Sequence, residues 1–275
     1  MQDFHELDLD KIWRKTMGWS RDPQATRQFD DQIESDFWVQ LAPRYTAEYN
    51  INKDTPLVAQ KLAELLGSNK TILEIGCGSG NFTVLMAAYA KQILGLDFSA
   101  AMLSELQKRI DEHGLSNIHT QVGKWEEFDS PAQFDYIVSV NSLYRICDMR
   151  QALRKMHTMA KQGFIIVRTI QCPFLTPLYT ANQISLQHCL DHQLMPLLLW
   201  RDGINAHVEF VNYQRHKSYD SLDSFKAELL SDLGQEQFDR YSKLLIKEFT
   251  SQASCDAQGY TITMPRTTVF IHHKK

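Results

Sequence analysis

The stretch Thr71-Ile72-Leu73-Glu74-Ile75-Gly76-Cys77-Gly78-Ser79-Gly80-Asn81-Phe82 decides how this chain folds. Its first five residues read as a short buried strand, and three glycines then alternate with small residues. Glycines at this spacing let the backbone turn tightly and approach a ligand with no Cβ in the way. Asn81 to Ala90 has a helical pattern, so the turn lies between a strand and a helix. In a doubly wound sheet that is the carboxyl end of a strand, the place where ligands bind.

Working outward, Gln92 to Asp97 reads as a second strand. Asp97 closes it, 21 residues after Gly76, where a carboxylate accepts hydrogen bonds from both hydroxyls of a ribose. Alone, Asp97 would read as a turn or helix-capping residue; the glycine turn gives it a ligand. Ser99 caps the next helix, whose apolar residues Met102, Leu103, Leu106 and Ile110 share one side, and Gly114 stops it. Upstream, Thr55-Pro56 starts a helix with Val58, Leu62, Leu65 and Leu66 on one face and Gly67 at its end. Ile118 to Val122, Phe134 to Val140 and Phe164 to Ile170 complete five strands. Strands separated by helices mean right-handed crossovers and a mainly parallel sheet, an α/β protein.

The periphery is less regular. Near the start, Phe29, Ile33, Phe37 and Leu41 recur at i+4 steps and predict an amphipathic helix packed through that stripe. Residues 171–203 contain three prolines and a helix expected around Asn182 to Gln193, an insertion over the sheet edge. Val208 to Tyr213 reads as a sixth strand. Helices over Ser221 to Leu233 and Gln235 to Phe249 precede a last strand pair around Gly259 to His272, which Pro265 interrupts. With no flexible linker in view, the expected organisation is a helical lid over 1–50 and one domain over 51–275, with 171–203 forming part of a substrate pocket.

Of the 275 residues, 43% are apolar and 23% charged, ordinary for a globular protein, and the net charge is −4. That balance gives no global reason to expect nucleic acid, which calls for a basic face. No segment approaches the run of about 20 apolar residues that crosses a bilayer, and Met1 to Glu6 lacks the layout of a signal peptide. Five cysteines, at 77, 147, 172, 189 and 255, show no C-x-x-C pair; they are read as reduced thiols in a cytoplasmic protein.

Glu74-x-Gly76-x-Gly78-x-Gly80 resembles the first motif of class I S-adenosylmethionine (SAM)-dependent methyltransferases. Leu96-Asp97-Phe98-Ser99-x-x-Met102-Leu103 is similar to their next segment. The similarity runs through Gly123-Lys124-Trp125-Glu126 to Asn141-Ser142-Leu143-Tyr144 and Gly163, and covers about residues 37 to 170. It implies a Rossmann-like, seven-stranded, mostly parallel sheet with helices on both faces, an N-terminal helical lid and C-terminal embellishments. It implies SAM as cofactor and S-adenosylhomocysteine as product; the aromatic N-terminal segment and the 171–203 insertion suggest a walled pocket and so a small-molecule acceptor. Gly76, Cys77, Gly78 and Gly80 would line the methionine and ribose portions of SAM with Glu74 behind them, Asp97 would hold the ribose, and Phe98 and Met102 would flank the adenine. Many relatives carry an acid where this chain has Lys124, which leaves the adenine to backbone groups and Trp125. Asn141 matches a position that contacts the cofactor amino group or the acceptor, and Tyr45 and Tyr49 resemble lid aromatics.

A SAM methyl group is activated by its own leaving group, so the protein mainly aligns the acceptor and excludes water. A base is needed only if the acceptor loses a proton. Tyr144, Tyr179 and His207 are the candidates, each also readable as a packing or surface residue. His188 and His192 form H-x-x-x-H, but the intervening Cys-Leu-Asp and the missing third ligand make this an ordinary helix surface, and no metal is expected. A nicotinamide dehydrogenase is set aside because Asn81 stands where G-x-G-x-x-G requires its third glycine. An RNA methyltransferase would need a basic face; Arg145, Arg150, Arg154 and Lys155 form the only dense basic group and read as a solvated helix face. A non-catalytic SAM-binding protein is the remaining alternative.

Overall fold

The computed structural model describes residues 7–17, 30–49, 55–170, 175–183 and 190–275. Helices α1 (Leu9–Met17), α2 (Asp31–Tyr49) and α3 (Thr55–Leu66) lead into β1 (Thr71–Ile75), α4 (Thr83–Ala87), β2 (Gln92–Asp97), α5 (Ala100–Glu112) and β3 (Ile118–Val122). Then follow β4 (Phe134–Val140), a 3-10 turn at Leu143–Arg145, α6 (Met149–Met159), β5 (Ala160–Ile170), α7 (Thr176–Ala181) and α8 (Asp191–Arg201). The chain continues through β6 (His207–Tyr219), α9 (Leu222–Leu233), α10 (Gln235–Gln252), β7 (Ser254–Asp256) and β8 (Gly259–Lys274).

The strands form one eight-stranded sheet in the order β3-β2-β1-β4-β5-β8-β6, with β7 beside β8. Seven strands lie on the main path, and the hairpin strand β7 makes the eighth. β1 pairs in parallel with β2 and with β4, β2 with β3, and β4 with β5. Central position explains why Ile72, Leu73, Glu74 and Ile75 are all buried: a parallel strand covered on both faces reads as a continuous run, not an alternation. The β1-to-β4 pairing, with β2 and β3 to the other side of β1, puts the glycine turn at the point where the strand order reverses.

The chain divides into two compact units, one of residues 1–169, 189–210 and 268–275 and the other of residues 170–188 and 211–267. In the first, α1 buries Leu9 and Trp13, and the Trp13 indole N–H donates to the Ile146 carbonyl at 2.7 Å. The second has its own core, where Phe225 stacks on Phe249 at 3.8 Å and Tyr219 meets both rings edge-on. Leu229, Leu245, Ile262 and Met264 complete it.

Two peripheral expectations are corrected, and a third falls largely outside the described residues. Of the helix expected around Asn182 to Gln193, residues 184–189 are not described. Asn182 and Gln183 form the turn that ends α7, and α8 begins at Asp191 and runs through Pro196, whose ring an established helix accommodates at the loss of one hydrogen bond. Pro265 does not break the last strand, because its fixed φ is compatible with extended backbone. Helix α2 forms, but it turns Glu34 and Ala42 inward and leaves Ile33 43% exposed. The buried face is thus offset from the apolar stripe by one residue, and it contains a carboxylate.

Gly163 on β5 marks the tightest packing of the first unit. A Cβ there would lie 2.0 Å from the His273 carbonyl oxygen on β8, and backbone cannot rotate away. Gly163→Ala is therefore expected to lower the unfolding free energy by about 3 kcal/mol. Gly114→Ala, with open space around it but a φ of +60°, should cost about 1 kcal/mol. Urea midpoints of the two variants check this, and equal losses would show that β5 and β8 can part.

Candidate cofactor-binding site

The glycine turn is fixed to the end of β2. The N–H groups of Gly76 and Cys77 both donate to the Leu96 carbonyl, at 2.7 and 3.2 Å. Gly76 has φ +66°, and a Cβ there would fall 2.2 Å from that of Ser142. Ser142 in turn donates from Oγ to the Ile75 carbonyl at 2.6 Å and lies 2.7 Å from Ser139 Oγ. The ends of β1 and β4 therefore meet with no space for a side chain at Gly76. Gly78, with φ +56°, donates its N–H to Asp97 Oδ2 at 2.8 Å. Gly80 packs over Leu106 of α5, and from the same helix Arg109 Nη1 donates to the Ser79 carbonyl and to Asn81 Oδ1 at 3.0 and 2.9 Å.

Asp97 is the centre of the site. Its second oxygen accepts the Ser99 N–H at 2.9 Å, while Ser99 Oγ caps α5 by accepting from the Met102 N–H. A carboxylate offers about four lone-pair positions; two backbone donors leave room for two hydroxyls. Burial pushes the Asp97 carboxyl up, the N–H groups of Ser99, Gly78 and Phe98 oppose this, and the charge of Glu34 adds to the rise. Phe98, next in sequence, lies under the Arg145 guanidinium, 5.4 Å from its ring centre, and Met102 is buried beneath Gly78.

Glu74 sits behind the turn, buried, with Oε2 accepting the Thr83 hydroxyl at 2.6 Å. Burial raises its carboxyl to about 8 despite that hydrogen bond, and Asp97 contributes to the rise. Cys77 packs against Gly95 of β2, where an added Cβ would lie 2.8 Å from the sulfur. Burial, then Glu74 and Asp97, push its thiol well above the ordinary value, which makes it a small packing residue and not a nucleophile.

The loops after β3 and β4 meet helix α2. Lys124 and Arg145 both pair with Asp31. Glu34, one turn on, accepts at Oε1 from the Trp38 indole N–H at 2.7 Å and from the Tyr144 hydroxyl at 3.0 Å. Asn141 ends β4 with φ +55°, and its side-chain oxygen accepts the Thr169 N–H at 2.8 Å. Trp125 is buried, donates to the Ala152 carbonyl at 3.3 Å and lies under Lys155 Nζ, 4.4 Å from its ring centre. It anchors its loop on α6.

Other sequence candidates lie elsewhere. His207 is exposed on β6, stacked on His272, with β4, β5 and β8 between its strand and β1. Tyr179 is buried in the core of the second unit. Both were singled out by residue type, which carries no information on strand order or packing. The side chains of Tyr45 and Tyr49, on α2, and all of His188 lie outside the described residues. Among the described residues no cluster of three His, Cys, Asp or Glu could hold a metal ion, and no helix is long and apolar enough to cross a membrane. The basic group on α6 is not a free face: Arg150 and Arg154 both bind Asp202, Arg150 also reaches Asp10, and Lys155 donates to the Trp125 carbonyl. Ser142, Arg109 and Glu34 are the site residues that spacing did not reveal; each acts through a contact distant in sequence.

Comparison with known proteins follows the same lines. The methyltransferase domain family matches residues 66–222. A ubiquinone biosynthesis O-methyltransferase of Stutzerimonas stutzeri is 29% identical over 97 residues, 35% of this chain and 42% of that protein. A demethylmenaquinone methyltransferase of Listeria welshimeri is 30% identical over 144 residues, 51% of this chain and 52% of that protein. The chain thus spans about half the length of these curated relatives. The crystal structure of the YcgJ protein from Bacillus subtilis superposes with a TM-score of 0.52 at 18% identity, covering 79% of this chain and 97% of that one, a likeness of fold.

The state of Glu74 gives a pH test. Its folded carboxyl titrates at about 8, above its ordinary 4.5, so between those values the native state keeps a proton that the unfolded chain has lost. Glu74 therefore makes stability fall as pH rises through that window, by at most about 1.4 kcal/mol per pH unit. Glu74→Gln, which still accepts from Thr83, is expected to flatten the slope and to be more stable than wild type near pH 8. Parallel slopes for the two proteins in urea titrations from pH 5 to pH 8 would show that Glu74 ionises normally.

Proposed function

The chain belongs to the class I SAM-dependent methyltransferase family, and from that premise we propose that it transfers the methyl group of SAM to a small-molecule acceptor by in-line displacement. The observation that carries this reading is the Asp97 carboxylate, held by the Gly78 and Ser99 N–H groups beside a turn whose glycines take positive φ. In this reading Asp97 takes the ribose hydroxyls, the glycine turn runs beside the ribose and methionine portions, and Phe98 and Met102 border the base. Bound SAM supplies an already activated methyl group.

The chain's own work is then placement and exclusion of water. Helix α2 serves as the lid, tied across the site by Asp31 to Lys124 and Arg145 and by Glu34 to Tyr144. Asn141, at the end of β4 in a left-handed conformation with its side chain bound to Thr169, would contribute to the cofactor or acceptor site in this reading. Tyr144 is a candidate for taking a proton from the acceptor, in which case its hydroxyl would hand its own proton to Glu34 as it takes the new one. A small acceptor is favoured over RNA because the α6 cations are already matched by Asp10 and Asp202.

Titration calorimetry with SAM and S-adenosylhomocysteine tests the assignment. Wild type is expected to bind both with micromolar affinity, and Asp97→Ala to weaken each by about 100-fold, the loss of two hydrogen bonds to a charged group. Binding of NADH in place of both ligands would sink the proposal.

A further inference from the structure

Helix α5 backs the glycine turn with one face. Met102, Leu106 and Arg109 follow one another at steps of four and three residues, which sets them on the same side of the helix. A Cβ added to Gly78 would lie 3.2 Å from Met102 Cε, and one added to Gly80 only 2.3 Å from Leu106 Cδ1. The third member of this face is the partly buried Arg109, whose charge burial opposes. Its Nη1 donates to the Ser79 carbonyl at 3.0 Å and to Asn81 Oδ1 at 2.9 Å. The peptide between Ser79 and Gly80 is thereby held at both ends, because its N–H donates to the Cys77 carbonyl at 3.0 Å. Gly78 and Gly80, with φ +56° and +82°, flank Ser79, and glycine resists rotation of a neighbouring peptide plane least. The same helix holds Asp97. Its cap residue Ser99 donates its N–H to Asp97 Oδ1 at 2.9 Å, while Oδ2 accepts from Gly78. Helix α5 therefore grips the carboxylate through its cap and the turn through Arg109.

We propose that Arg109 is a positioning residue for cofactor binding. By fixing the Ser79 carbonyl it holds the glycine turn, and through the Gly78 N–H the Asp97 carboxylate, in the form that receives the nucleoside. This rests on the functional reading above and deepens it, since Arg109 acts through the turn and not by touching the ligand. A turn with three glycines in left-handed conformations has many alternative states to lose when a ligand orders it. Ordering it beforehand removes that loss from the binding step, which is the benefit of preorganisation. The effect falls equally on SAM and S-adenosylhomocysteine, whose adenosine and amino-acid ends are the same.

Calorimetry and amide exchange test this. Arg109→Met, which keeps the apolar stem, is expected to weaken SAM and S-adenosylhomocysteine alike by about tenfold, the loss of one hydrogen bond. Arg109→Lys, still able to donate to Ser79, should recover part of that loss and carries the same comparisons if Arg109→Met does not fold. Lys108→Met, on the exposed side of α5, should bind like wild type. Because Arg109 acts through Asp97, adding Arg109→Met to Asp97→Ala should weaken binding by less than about threefold more. The full tenfold loss in that background would make Arg109 a general structural support and overturn the proposal, as would wild-type affinity in Arg109→Met. In the ligand-free protein the Gly78 and Gly80 amides should exchange about tenfold faster in Arg109→Met, and unchanged exchange would count equally against it. Wild type that binds neither ligand would instead remove the functional reading beneath, a failure distinct from a variant that binds normally.

Discussion

Everything at the site depends on the hydrogen bond from the Gly78 N–H to Asp97. It joins the turn after β1 to the end of β2, and it exists because the parallel register sets Ile75 beside Leu96. A slip of one residue would reverse the facing of every β1 side chain and carry Asp97 out of reach. The register is defended from both sides: Leu96 accepts two N–H groups of the turn, and Ser142 closes on Ile75 and Gly76 from β4. The glycines are thus required twice, by positive φ and by the closeness of neighbouring strands.

In that arrangement Asp97 adds to the rise of Glu74, and Glu34 to the rise of Asp97, so the carboxylates influence one another. Each is handled differently. Glu74 keeps its proton to about pH 8, so near neutrality it is a hydrogen-bonding group more than a charge. Asp97 is held by the N–H groups of Gly78 and Ser99, which moderate the effect of burial. Glu34 accepts hydrogen bonds from the Trp38 indole and the Tyr144 hydroxyl.

The central strands, the glycine turn and Asp97 were legible because their signals are local: a buried run, alternating glycines, an acid closing the next strand. Periodicity failed on α2 because it identifies the apolar stripe, whereas the site determines which stripe turns inward. The helix expected around Asn182 to Gln193 falls largely on residues 184–189, outside the described residues. His207 and Tyr179 show the limit of choosing by chemistry alone, since the sheet order sends one to an edge strand and the other is core. Ser142 and Arg109 support the turn through carbonyl oxygens 67 and 30 residues away, contacts that leave no spacing to read.

The basic residues after β4 show how a solvated patch and a structural network differ. Arg145 meets Asp31 of α2, Arg150 meets Asp10 of α1, and Arg150 and Arg154 share Asp202 at the end of α8. Burial opposes the charge of Asp202, but the two guanidinium groups outweigh it and hold the carboxyl at about 2. Partly exposed pairs of this kind contribute little stability individually; their value here is orientation, since Arg145 fixes α2 to the loop after β4 and Arg150 and Arg154 fix α1 and α8 to α6, which follows that loop. Trp13, donating to Ile146 in the same loop, adds a buried and directional tie. The segment Asn141–Asp148 is consequently shared by the candidate cofactor site and the contacts that hold α1 and α2.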